Sequence, residues 1–388
     1  MQFILKNKDR DVLSFKAYTD QRGLNIMSLE VHRQNLLPIS LQQNGRHLKK
    51  RLIEWIEMRR IPKHRQYMRQ ILYTTGIAEN DILSYIRVGF ALSLNDTFWI
   101  VPEGDTYLWQ DYNLYNNAFS KALTLVALTG RSMVLKGKER KPSPELTTHG
   151  VLKKCWCRKS GIIKLIKGQT GTEAYCEYYA AQIAKALGFQ AISYDLESHQ
   201  GEIVCMCEIF TSREVGFVSI AECIDYAKYK ALGHNPLKRF KILAKVLGRE
   251  FLEDLLLFDA LVFNTDRHLG NYGMLIDNQT NAFLVPAPIF DNGMAFLGQI
   301  GEGELANIPA FFEGVDSGLD INFEKQIDLA ARPRHINKLE GLKKFTFARH
   351  PHYNLPEQWL QAGEKLIQQR SQEIIKIIEK KQGHHESG

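Results

Sequence analysis

Residues 251–293 constrain this chain more than any other stretch. They open with its most apolar run, 251–263, whose Glu253, Asp254 and Asp259 exclude a membrane span and leave a buried helix. The run passes into Asn264-Thr-Asp-Arg-His-Leu-Gly-Asn271-Tyr-Gly, a strand-like 274–277, a turn at 278–281, a second strand at 282–285, and Pro-Ala-Pro-Ile-Phe-Asp291-Asn-Gly. If 277 faces 282 across the turn, antiparallel pairing sets 271 opposite about 288 and lets Asn271 and Asp291 converge on one ion. Asp266, Asn271 and Asp291 then gather at one end of a hairpin, where few hard oxygen ligands with room for water and phosphate suit Mg2+.

Each residue has a plainer reading when taken singly. Asp266 and Asn271 can make Asx-turns at a helix end, Asp291 can belong to an Asp-Asn-Gly turn, and His268 can be a hydrogen-bonded core histidine. Taken together, D-x4-N, a short hairpin and D-x-G reproduce the spacing with which phosphoryl-transfer enzymes place base and metal ligands.

A cation for phosphate stands upstream. Lys164 is alone among apolar neighbours in Ile162-Ile-Lys-Leu-Ile166, with Glu173 and Glu177 on the helix that follows. A buried lone Lys is costly, whereas one paired to a helix Glu can hold α- and β-phosphates; on an exposed strand face it would need no partner. Thr170-Gly-Thr-Glu173 reads as a capping box that opens a helix to Leu187, stopped by Gly188, which leaves Glu177 as the partner.

The 388 residues suffice for roughly two to three domains with large cores. Residues 1–115 read as an N-terminal α+β section, with strands near 3–5 and 12–18, a helix at 48–59 ended by Pro62, and another reaching Gly76. Residues 116–212 read as antiparallel strands carrying one helix: a hairpin of 151–158 and 162–166 turning at Ser160-Gly161, then strands at 192–195 and 202–210. Residues 213–388 are mainly helical, with helices near 219–231, 237–247, 249–263 and 356–381. The pairs Cys155/Cys157 and Cys205/Cys207 have spacing that suits one face of a strand better than a zinc knuckle.

The net charge of +7 is unevenly spread: residues 46–70 carry +7, residues 131–167 carry +9, and the remainder −9. Two basic patches on an otherwise acidic chain suggest polyanions, nucleotide phosphate for one and nucleic acid or an acidic partner for the other; a solvated helix face explains the first equally well. The helices around Arg60-Ile-Pro-Lys63 allow a DNA contact through 46–70, though ordinary helical hairpins look the same. The opening MQFILKNKDRDVLSF has charges where a secretory signal needs an apolar block, so a cytoplasmic chain without membrane attachment is expected.

Residues 144–310 resemble the HipA-like family of serine/threonine protein kinases, which includes toxin components of toxin-antitoxin modules. The resemblance is carried by IIKLIKG at 162–168, EYYAAQIAKALGF at 177–189, CEIF at 207–210, LLLFDALVFNTDRHLGNYG at 255–273 and PAPIFDNG at 286–293, with Asp266, His268 and Asn271 reproducing a D-x-H-x-x-N loop. It implies an α+β, bilobal protein-kinase-like fold with a small antiparallel-sheet lobe, a larger helical lobe and an N-terminal α+β extension, binding ATP and Mg2+ between the lobes. It implies Asp266 as base, Asn271 and Asp291 as Mg2+ ligands, Lys164 with Glu177 on phosphate, and Glu208, Ile209 and Phe210 as an adenine hinge. The phosphate loop falls on Thr147, Thr148, His149, Gly150 and Lys154, without a G-x-G-x-x-G, and Ser143, Thr147 and Thr148 become candidates for self-phosphorylation. The implied acceptor is a protein Ser or Thr, with an antitoxin or regulatory partner. Two alternatives are a kinase-like scaffold that binds nucleic acid or antitoxin, and a kinase for a small-molecule or lipid acceptor.

Overall fold

The computed structural model describes residues 1–42, 47–135, 141–317 and 320–386. Of the basic patches, Arg46, Lys136, Lys138 and Arg140 lie outside the described residues, as does Glu139. The chain has the α+β composition expected, with antiparallel sheets and helices, and it divides into two compact units. Among the described residues no helix is long and apolar enough to cross a membrane.

The first unit comprises Met1–Lys167, Glu208–Val218 and Leu275–Val285. Its N-terminal sheet has the order Gly23–Val31, Arg10–Asp20, Gln2–Asn7, Phe98–Pro102, antiparallel throughout. Phe3 pairs with Phe15, and Leu5 with Leu13 on one side and Ile100 on the other. Alternation puts Phe3 and Leu5 on the buried face, where they share a core with Leu52, Trp55 and Ile56 of the helix Leu48–Glu57 and with Ile82, Leu83 and Ile86 of the helix Ile82–Gly89. The helix ended by Pro62 is observed, but the next begins only at Met68 and runs to Thr75 before Gly76. Strands Lys154–Lys159 and Ile162–Lys167 form the expected hairpin, turning at Ser160 and Gly161, both at positive φ. It opens at 154 because 151–153 belong to the preceding loop. Strands Val215–Ser219, Gly273–Asp277 and Phe283–Pro286 form a further sheet in which Gly273–Asp277 is central.

The second unit comprises Gly168–Cys207, Ser219–Met274 and Pro286–Gly388. Its centre is the helix Arg249–Val262, in which every residue from 255 to 262 is buried, as its all-round apolar sequence requires. The helix expected at 219–231 is two, Ile220–Cys223 and Tyr226–Ala231, because Asp225 caps the second by accepting the Lys228 N–H at 3.1 Å. Cys155 and Cys205 are buried and Cys157 and Cys207 half-buried, each pair within one strand.

Candidate active site

In the second unit, Phe263 ends the central helix in the left-handed region and the chain turns sharply into the loop 264–272. The loop is held by its own amides. The Asn264 N–H donates to Asp259 O at 3.0 Å, the Asp266 N–H to Asn264 Oδ1 at 3.3 Å, the His268 N–H to Asn271 Oδ1 at 3.1 Å, and Asn271 Nδ2 to Asp266 O at 2.8 Å. Asn271, almost fully buried, therefore bonds to the backbone on both sides of Arg267, while the side chains of Asp266 and His268 stand exposed. His268 Nδ1 accepts the Gly270 N–H at 3.0 Å, which fixes its ring.

Beside the turn the hairpin has the expected register, with the Asp277 N–H donating to Ala282 O at 2.9 Å, but at its far end the Ala287 N–H donates to Gly273 O at 2.9 Å, one residue out of the register that would set 273 opposite 286. Beyond it the chain reaches Asp291 at φ 62°, a left-handed conformation that a non-glycine residue keeps only where its surroundings impose it. Those surroundings are specific. The Asp291 N–H donates to the Tyr194 hydroxyl at 3.3 Å, and the Asn292 N–H to Glu177 Oε2 at 2.8 Å. Glu177, 1% exposed on the helix Glu173–Ala186, thus anchors the loop that carries Asp291.

Arg267 joins these pieces. Fully buried, it donates from Nε to Asp259 Oδ2 at 2.9 Å, from Nη2 to Asp259 Oδ1 at 3.0 Å and to Asn292 Oδ1 at 2.7 Å, and from Nη1 to Phe290 O at 2.6 Å. One guanidinium therefore fixes the central helix, the 264–272 loop and the segment leading to Asp291. Burial pushes the Asp259 carboxyl up, against the pull of Arg267. The motif singled out Arg267's neighbours and passed over Arg267 itself. The available signal was Asp259: a carboxylate inside an otherwise apolar helix requires a buried cation.

The capping box does not form. Glu173 turns back to accept the N–H groups of Thr170 at 3.1 Å and Gly171 at 2.7 Å and the Thr170 hydroxyl at 2.8 Å, so the helix starts at 173 with Thr172 as N-cap. Partial burial opposes ionisation of Glu173, yet these donors hold its carboxyl below the usual range.

The other expected residues lie in the first unit. Lys164, half-buried on its strand, has its ammonium 3.4 Å from Glu208 Oε1. The Ile209 N–H donates to Ile163 O at 3.0 Å, so in the expected hinge this donor is occupied. The loop 143–154 is tightly bonded. The Thr147 hydroxyl donates to Leu92 O at 2.9 Å, the Thr148 hydroxyl to Pro144 O at 2.6 Å, and the Ser143 hydroxyl to the Glu145 carboxylate. Ser143 and Thr147 are buried, so neither offers the accessible hydroxyl that self-phosphorylation needs. The His149 ring bonds to Met58 O, and its desolvation, with the charges of Lys154, Arg59 and Arg65 nearby, shifts its pKa downward. Gly150, at φ 104°, lies under the Lys154 ammonium: a Cβ there would sit 2.1 Å from Nζ.

Among the described residues no group of three or more His, Cys, Asp or Glu gathers as a metal cage. Asn271 offers an amide oxygen that already accepts the His268 N–H, and Asp291 offers a carboxylate; hard oxygen donors of this kind suit Mg2+ when water and phosphate complete its shell.

No family model matches the chain. It is 28% identical over 134 residues to the serine/threonine-protein kinase CtkA of Helicobacter pylori strain J99, an alignment covering 31% of this chain and 39% of that protein. The chain thus matches well under half the length of this curated relative. The crystal structure of the Helicobacter pylori proinflammatory kinase CtkA superposes with a TM-score of 0.46 at 18% identity, covering 59% of this chain and 93% of that one. HipA of the Shewanella oneidensis MR-1 toxin-antitoxin system, solved with HipB and its operator DNA, superposes with a TM-score of 0.53 at 14% identity over 96% of this chain and 97% of its own. The chain shares the fold of a HipA protein, as the resemblance read from its sequence implies, and over 134 residues its sequence is similar to that of a serine/threonine-protein kinase.

Proposed function

We propose that this chain is an ATP- and Mg2+-dependent kinase that transfers the γ-phosphoryl group to a serine or threonine hydroxyl of a protein. The observation that carries the reading is the 264–272 loop, in which Asn271 braces the backbone on both sides of Arg267 and Arg267 ties that loop to the segment bearing Asp291. Asp266, exposed at the loop's turn, orients the acceptor hydroxyl and takes its proton as the hydroxyl oxygen bonds to the γ-phosphorus and the bond to the β-phosphate oxygen breaks, releasing ADP. His268 shapes the loop beside it. Asn271 and Asp291 would hold Mg2+, which supplies charge neutralisation on the phosphates. Lys164 binds phosphate, as do Lys154 and the backbone of the loop at Thr147, Thr148, His149 and Gly150; the hinge at Glu208 and Phe210 receives the adenine. Glu177 acts through its bond to the Asn292 N–H, keeping the Asp291 turn in place.

The test is incubation with labelled ATP and Mg2+, followed by mass spectrometry of the chain and of a cell lysate. Asp266→Asn is expected to lower transfer by orders of magnitude with nucleotide affinity nearly intact; unchanged transfer removes Asp266 from the mechanism. A partner protein and DNA form a second reading, favoured by the fold shared with a HipA solved alongside HipB and operator DNA and by the basic run at 46–70. A gel shift whose affinity falls steeply with salt supports it, and no shift rejects it.

A further inference from the structure

The two basic segments of the sequence meet in the first unit, and the residue that joins them is not on the surface. Arg65 is 3% exposed. Its Nη1 donates to Glu145 O at 2.7 Å and to Thr148 O at 3.2 Å, and its Nη2 to Lys154 O at 2.7 Å. The main chain beside it continues the join, with the Gln66 N–H on Val151 O at 2.8 Å and the Lys153 N–H on Gln66 Oε1 at 3.2 Å. Behind the three carbonyls lies the buried carboxylate of Glu145, which accepts the Trp156 N–H at 2.9 Å and the Ser143 hydroxyl.

The three carbonyls fall before Thr147, at Thr148 and after Gly150. A planar fork of fixed geometry thereby sets both ends and the middle of the 143–154 loop, which a flexible ammonium could not do. Two of its bonds are buried, and buried carbonyl groups without donors are costly. The Lys154 ammonium over Gly150 depends on the same arrangement, because the Lys154 carbonyl is one of the three points held.

We propose that Arg65 is the positioning residue of this loop, so that the N-terminal section is a working part of the phosphate-binding site and not an appendage to the kinase-like region. The proposal rests on the kinase reading above. Arg158 provides a matched comparison: in the same unit its Nη2 bonds the carbonyls of Leu114, Tyr115 and Asn117, all outside the loop. Arg65→Met and Arg158→Met in the full chain are compared by thermal melting, by hydrogen exchange of peptides covering 143–154, and by titration with ATP and Mg2+.

Arg65→Met is expected to lose protection across the loop and to weaken ATP binding by roughly tenfold to a hundredfold, the cost of an ångström-scale misplacement. In turnover it raises the KM for ATP more than it lowers kcat, and added guanidinium partly restores Arg65→Ala. Arg158→Met loses melting temperature but keeps both loop protection and ATP affinity. A folded Arg65→Met with wild-type protection and affinity overturns the proposal, and so does an equal loss of affinity in both variants. If the wild-type chain binds no ATP, the kinase reading falls by itself, and the exchange data alone decide whether Arg65 holds the loop.

Discussion

Arg267→Met isolates the buried pair on which the candidate site depends. Arg267 and Asp259 are both at 0% exposure, and among the described residues the substitution leaves the Asp259 carboxylate with only the Asn264 amide as a side-chain donor, at 3.4 Å. Truncating one member of a buried ion pair costs about 3–5 kcal/mol, because the surviving charge keeps its desolvation penalty without its partner. For a chain or unit of this size that corresponds to a fall in melting temperature of roughly 5–10 °C. Asp259 then titrates: its carboxyl, already pushed up by burial, rises further once the guanidinium is gone. A folded-state pKa above the unfolded one favours the native protein most below the unfolded value, and the advantage disappears as pH rises through the folded value. The variant should therefore lie furthest below wild type at neutral pH and recover part of the gap toward pH 5. Asp259→Asn/Arg267→Met should be markedly more stable than Arg267→Met alone, since the stranded charge is gone. The assay is differential scanning fluorimetry across pH with the complete double-mutant cycle. A single variant within about 1 °C of wild type, or a double variant no better than the single, refutes the assignment of the pair as the site's electrostatic anchor.

Two further substitutions probe other parts of the fold. Gly150→Ala places a methyl where the Lys154 ammonium lies and forces alanine to φ 104°, so it should lower stability by about 1–3 kcal/mol and weaken ATP binding, measured by melting and titration. Asp254, partly buried but held below its usual pKa by His335 at 2.9 Å and by Arg334, contributes stability that is complete above the unfolded carboxylate value and lost as pH falls through the lower folded one. Asp254→Asn should cost about 1–3 kcal/mol at pH 7, with the difference closing in acid unfolding curves as pH falls through the lowered folded value.

What the sequence made legible follows from how far apart the interacting residues lie along it. The hairpin after Asn271 was readable because its turn is local, and the bond between 277 and 282 follows the expected register; the bond between 273 and 287 is displaced by one residue, a local irregularity that spacing does not reveal. The hairpin at Ser160-Gly161 was readable for the same reason. The strand Phe98–Pro102 was not, since it is almost wholly buried, shows no alternation, and pairs with residues 3–7 at the far end of the section. Gly23–Val31 escaped because, as an outer strand, it is only partly buried and carries a weak pattern. The expected capping box failed through competition: the Thr170 hydroxyl that should have capped the helix donates to Glu173 instead.

The residues that hold the site were the least legible, and the reason is general. Asp266, Asn271, Asp291, Thr148 and Lys154 lie in or beside loops, where the chain departs from regular bonding and its carbonyls need donors from elsewhere. In both loops arginine supplies them: Arg267 reaches Phe290 O, 23 residues away, and Arg65 reaches Lys154 O, 89 residues away. A motif records the side chains whose spacing is local and says nothing of the bonds by which a cation joins it to a distant segment. Each of these two cations leaves a trace, because a buried acid stands near its guanidinium. Asp259 in the apolar stretch 255–262 and Glu145 in the loop 143–154 are those traces, each at 0% exposure and each with its carboxyl pushed up by burial. An acid isolated in an apolar stretch beside a chemical motif therefore points to the arginine that sets the motif's geometry, as Asp259 does for Arg267, whereas Glu145 sits in a polar loop whose sequence carries no such signal for Arg65.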